Sequence, residues 1–160
     1  MNSHIVVNLK YNTMIYENTH SNISVRNGMG KWMKEYSLTE KGKDWDYCIG
    51  LSYRGKILKT HLAKKNWMKL YDDLYKLDES VYGFVVDELD DMGIGIHHHL
   101  IVGSELDEPT FKKTVSKNWD KRGVNWVERY VRNSKWDYID YMSKHIHKTN
   151  RNIFEVFNSL

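Results

Sequence analysis

The chain carries one cysteine, Cys48, and one proline, Pro109, in 160 residues. A single thiol excludes an intramolecular disulfide framework, and without a CxxC pair a structural zinc site lacks its usual ligands. No apolar run approaches the roughly eighteen residues that would span a bilayer. The opening MNSHIVVNLK lacks the layout of a signal peptide, so a soluble, intracellular protein with no membrane partner is expected. A phosphate loop of the GxxxxGK(S/T) type is missing, which excludes a fused P-loop helicase or ATPase. Repeats and low-complexity tracts are absent too.

What is present fits one enzyme-sized domain. At 41% hydrophobic the chain is able to bury a proper core, and a net charge of +3 permits a polyanionic partner without demanding one. Lysines recur at Lys56, Lys59, Lys64 and Lys65 and again at Lys112, Lys113 and Lys117. Six tryptophans and eleven tyrosines offer rings on which unpaired bases stack, although Trp67 and Trp119, at helical spacing, read as core.

The densest chemistry lies in IGIHHHLIVG, Ile94 to Gly103. Side chains of a strand alternate faces, so His97 and His99 point the same way, about 6.6 Å apart along the strand. Two imidazoles held side by side on a stiff backbone reach one divalent ion. Tyr82 to Leu89, YGFVVDEL, reads as the preceding strand, with Asp90-Asp91-Met92-Gly93 as the turn of a hairpin. Folding that hairpin brings Glu88 opposite the imidazoles, while Asp87 points to the other face. One oxygen and two nitrogens form a ligand set for Mn²⁺ or Mg²⁺, and the same set also suits Zn²⁺.

A second constellation lies in Trp136 to Lys148, WDYIDYMSKHIHK, which lacks Gly and Pro and has helical periodicity. Ile139, Met142 and Ile146 fall on one face, and Tyr141, Lys144, His145 and Lys148 cluster on the other.

The remaining elements order themselves around these two. Trp45 to Tyr53 alternates large and small side chains, as a strand ending at Arg54-Gly55. Lys64 to Leu77 is helical. Pro109 opens a helix whose buried side carries Phe111, Val115 and Trp119. Val124 to Val131 is an apolar, β-branched strand after the Arg122-Gly123 turn. The order β-α-β-β-α-β followed by the tyrosine helix predicts an α+β, ferredoxin-like (split βαβ) antiparallel sheet with helices on one face and the histidine strand in its centre. Residues 1–44 form an N-terminal extension with an Asn27-Gly28 turn and a short helical piece near Lys31 to Tyr36.

His-x-His on a strand, an acidic residue on the strand before it and Tyr-x-x-Lys on a downstream helix resemble the HUH endonucleases. More narrowly they resemble the rolling-circle replication initiator (Rep) proteins of viruses, phages and plasmids. His97 to Val102 is similar to the metal-binding motif, with His98 where the family carries a bulky apolar residue. Tyr141 to Lys144, YMSK, is similar to the nucleophile motif, and Tyr47 to Tyr53 stands where the family has its first strand motif. The likeness covers about residues 45–148 and implies an endonuclease domain over 45–160.

It implies Glu88, His97 and His99 as ligands of Mn²⁺ or Mg²⁺, Tyr141 as the nucleophile and Lys144 as a group that steadies phenolate or phosphate. His145 stands where two-tyrosine relatives carry a second nucleophile, which implies a one-tyrosine enzyme, with Tyr138 as the other phenol to test. The implied substrate is single-stranded DNA at an origin stem-loop. A host helicase and polymerase would be partners in a host cytoplasm. A single-strand transposase, a mobilisation relaxase and a non-catalytic DNA-binding module are the competing readings.

Overall fold

The computed structural model describes residues 5–8, 13–16, 23–55, 59–89, 95–133, 135–143 and 154–157. In chain order the elements are β1 (Ile5–Asn8), β2 (Thr13–Tyr16), α1 (Ile23–Glu40), β3 (Tyr47–Tyr53), α2 (Thr60–Tyr75), β4 (Tyr82–Leu89), β5 (Ile96–Gly103), α3 (Glu108–Trp119), β6 (Gly123–Arg129), α4 (Tyr138–Ser143) and β7 (Phe154–Phe157). Strands β1 and β2 pair as a separate two-stranded sheet. The main sheet is antiparallel with order β6-β3-β5-β4-β7. Without β7, the four remaining strands follow the split βαβ order that the sequence predicts, and β5 is central.

The helices correct one expectation: they cover both faces. On one side α2 and α3 bring Trp67, Leu70, Leu74, Phe111, Val115 and Trp119 onto Tyr47, Ile49, Leu51, Val85, Leu100 and Val102. On the other, Met33 of α1 and Ile139 and Met142 of α4 pack with Cys48, Phe84, Val86 and Ile101. The reason is legible in the strands. Phe84-Val85-Val86 and Leu100-Ile101-Val102 are continuously apolar, and a strand without polar alternation needs cover on both faces.

Helix α1 is a second correction. It runs unbroken through Asn27-Gly28, where a turn is expected, and spans 18 residues instead of the short piece near Lys31. Tertiary contacts hold it. The ring of Trp32 stands 5.1 Å from that of Phe84, and the Trp45 indole N–H donates to the Met33 carbonyl at 2.9 Å. Burial of this kind outweighs the cost of about 1 kcal/mol for each glycine in a helix interior. Helix α3 starts as expected, with Asp107 capping the Thr110 N–H at 2.9 Å and Pro109 in its first turn.

The expected Asp90–Gly93 turn lies outside the described residues. Strand β7 is not anticipated by the sequence reading; its four residues, FEVF, add an edge to β4. Among the described residues no helix is long and apolar enough to cross a membrane.

Candidate active site

Register decides which histidines can act together. Glu88 pairs with His97, Asp87 with His98, and Val86 with His99 across β4 and β5. The alternation then sends Glu88, His97 and His99 to the face covered by α1 and α4, and Asp87 and His98 to the face covered by α2 and α3. The Glu88 carboxylate crosses diagonally and takes a hydrogen bond from His99 Nε2 at 2.8 Å. His97 stands half-exposed directly across from Glu88.

Helix α4 brings two phenols to this face. Its start is tied down by Asp137, which is buried and accepts the Ile139 N–H at 2.9 Å and the Tyr130 hydroxyl at 2.8 Å. Ile139 and Met142 are fully buried against the sheet. The contact stripe is wider than those two, because Tyr138 and Tyr141 turn toward β5 beside them. The Tyr141 ring lies 5.1 Å from His99, edge to face at 84°. Helix α1 sets how closely α4 sits: a Cβ on Gly30 would stand 3.0 Å from Ser143 Oγ, and Lys34 pairs with Asp140 at 2.6 Å.

The two phenols differ in their surroundings. The Tyr138 hydroxyl donates to the Ile49 carbonyl at 2.7 Å, and its oxygen lies 3.4 Å from His99 Nδ1. Burial pushes the Tyr138 phenol well above its ordinary value. Tyr141 is half-exposed, and its phenol is also raised, first by partial burial and then by the negative charge of Glu88. The Tyr138 hydroxyl thus lies between the Ile49 carbonyl and the His99 ring, while the Tyr141 ring is partly open to solvent. Cys48 offers no competing nucleophile, since burial lifts its thiol to about 12.

Among the described residues no three His, Cys, Asp or Glu side chains form a ready metal cage. The donor chemistry of Glu88, His97 and His99 nonetheless fits a hard to borderline divalent cation. Glu88 Oε2 and His99 Nε2 stand 2.8 Å apart, near enough for both to hold one such cation. Ligation through Nε2 would move the His99 proton to Nδ1, next to the Tyr138 oxygen, an outer partner of the kind that orients metal-bound imidazoles.

The structure thus gathers Glu88, His99 and Tyr141, and sets His97 beside them by register. Lys144 and His145 lie outside the described residues. Sequence reasoning missed the supporting bond from Tyr138 and the polar group on the opposite face. There His98, fully buried, bonds Asp87 through Nδ1 at 2.6 Å and the Tyr53 hydroxyl through Nε2 at 2.8 Å. The pairing of Asp87 with His98, one step out of phase with Glu88 and His97, was the available signal.

A scan against protein-family models gives no match, and searches of the curated proteins and of the solved structures give none either.

Proposed function

We propose that this protein is a metal-dependent, sequence-specific endonuclease that nicks and joins single-stranded DNA. The reading extends to an initiator of rolling-circle replication working through a 5′-phosphotyrosyl intermediate in a host cytoplasm. The observation that carries it is the Tyr141 ring standing against His99, itself bonded to Glu88, at the centre of a split βαβ sheet.

Glu88, His97 and His99 would hold Mn²⁺ or Mg²⁺. Such a cation would draw electron density from a non-bridging oxygen of the scissile phosphate and offset the Glu88 charge that adds to burial in raising the Tyr141 phenol. The Tyr141 oxygen attacks phosphorus. The new bond is Oη to phosphorus, the bond to the 3′-oxygen breaks, and the proton lost by the phenol is balanced by the one the leaving hydroxyl gains. The phosphodiester energy is conserved in the protein–DNA bond, so a later 3′-hydroxyl reverses the step and rejoins the strand without ATP. Tyr138 holds the His99 ring through its contact at Nδ1 and does not react, because its own hydroxyl is committed to the Ile49 carbonyl. Lys144, three residues beyond Tyr141, is assigned to steadying phenolate or phosphate. A host helicase and polymerase would be the protein's partners in strand separation and synthesis.

The test is a denaturing gel of protein mixed with single-stranded hairpin oligonucleotides and Mn²⁺. A covalent band that requires metal, disappears in Tyr141→Phe and persists in Tyr138→Phe is expected. DNA binding with no covalent band under any metal returns the protein to the class of non-catalytic DNA-binding modules.

A further inference from the structure

Of the six tryptophans, four are buried or half-buried, and only Trp126 and Trp136 are more than a third open, at 42% and 71% exposure. Both stand at the ends of one row of rings. From centroid to centroid, Trp126 lies 5.7 Å from Tyr138, Tyr138 lies 6.1 Å from Tyr141, and Tyr141 lies 6.1 Å from Trp136. The interplanar angles along the row are 42°, 21° and 41°. An indole buries roughly 150–250 Å² when it packs, and leaving two in water beside a candidate catalytic centre forgoes that stabilisation. An exposed aromatic patch of this kind marks a binding surface.

The Trp126 ring is also set in place. Its indole N–H donates to Glu128 Oε1 at 3.1 Å. Its neighbour across β3 is Gly50, where an added Cβ would meet the ring at 3.6 Å. Gly50 in turn pairs with His99, so Trp126, Gly50 and His99 form one rung across the sheet. The Glu128 carboxylate beside the indole disfavours a phosphate there and leaves the ring to an uncharged planar group. Lys135, exposed next to Trp136 in the chain, and the net charge of +3 favour a polyanionic strand over an acidic or neutral surface.

We propose that Trp126 and Trp136 are stacking platforms for unpaired DNA bases on the two sides of the phosphate presented to Tyr141, so that the ring row tracks the single strand through the site. The identity of the strand rests on the nicking reading; the stacking itself is measurable without catalysis. Base–aromatic stacking of this type is tolerant of sequence, which makes the row a holding device and leaves recognition of the nick site to other contacts.

The test uses the full chain in chelator, with fluorescence anisotropy of a short randomised single strand. Trp126→Leu and Trp136→Leu are each expected to weaken binding about fivefold or more, the lower end of the contribution of one stacked base. Trp126→Phe and Trp136→Phe should keep most of the affinity, and binding to a duplex should be unchanged in all four. Thermal melting identifies any variant that fails to fold, and for such a variant the Phe substitution decides. Leu variants that bind single strands as tightly as the parent, or a parent that binds single strands no better than duplex, overturn the proposal. A parent that forms no covalent band under any metal removes the nicking reading but leaves ring-dependent binding intact, so the two failures are separable.

Discussion

His98 sits between His97 and His99 yet belongs to a different part of the molecule. It is fully buried, with Asp87 at one ring nitrogen and Tyr53 at the other. The Asp87 carboxylate accepts from Nδ1–H, which leaves Nε2 to accept from the Tyr53 hydroxyl; burial holds that phenol up at about 12, so it stays a donor. A buried group deprived of its partner costs far more than a pair removed together. Asp87→Ala should therefore cost about 1–3 kcal/mol in urea unfolding, and the double change Asp87→Leu, His98→Leu should cost less than the sum of its two single changes. A second prediction concerns Tyr138. Tyr138→Phe should leave the covalent band in place but raise the Mn²⁺ concentration needed for it by about 10- to 100-fold, as outer-shell partners of ligating histidines do. That Glu88, His97 and His99 share a face was readable from alternation and the hairpin, because strand geometry converts sequence spacing into a shared face. The role of Tyr138 was not, because its partner, the Ile49 carbonyl, comes from a strand 89 residues away.

Helix α4 reaches its place through α1. Gly30 gives Ser143 room, and Lys34 reaches Asp140. A large side chain at position 30 has no free space on that side, so Gly30→Leu should push the helices apart at a cost of about 1–3 kcal/mol. Because Tyr141 rides on α4, the same change should slow formation of the covalent band while binding of single strands persists. A variant that unfolds less easily than the parent and reacts as fast would contradict the coupling. At this scale the order of strands and helices was legible, since hydrophobic period and turn residues are local signals. The two-sided cover was misjudged although the apolar runs in β4 and β5 carried it. The length of α1 was hidden, because Asn27-Gly28 reads as a turn until the packing of Trp32 and Met33 is known. Strand β7 has too few residues to show a period at all.

Two buried carboxylates pull the stability of the whole molecule in opposite directions with pH. Burial raises Asp78, but bonds from the Ser104 and Ser80 hydroxyls and from the Glu105 and Ser80 N–H groups outweigh it and hold its carboxyl below the ordinary value. The unfolded chain then binds that proton first, so the stability from Asp78 is present above the unfolded pKa and lost as pH falls through the native one. Glu155 is the reverse. Burial lifts its carboxyl above the ordinary value, and the Lys64 ammonium at 2.8 Å offsets only part of that. Its contribution is full below the unfolded pKa and declines as pH rises through the native one. Melting curves across acid and neutral pH should therefore show Asp78→Asn flattening the acid-side loss and Glu155→Gln flattening the decline toward neutrality. Parallel profiles for parent and variants would refute the assignment.

Three consecutive imidazoles on β5 also make the hairpin self-checking. A slip of one position between β4 and β5 would turn His97 and His99 under α2 and α3 and leave His98 beneath α4. His98 would then leave Tyr53, and His99 would leave Tyr138 and Tyr141. The contacts of the site and the correct pairing of the sheet are thus selected together, and a single-residue insertion between His97 and His99, which breaks their shared face, should abolish the covalent band.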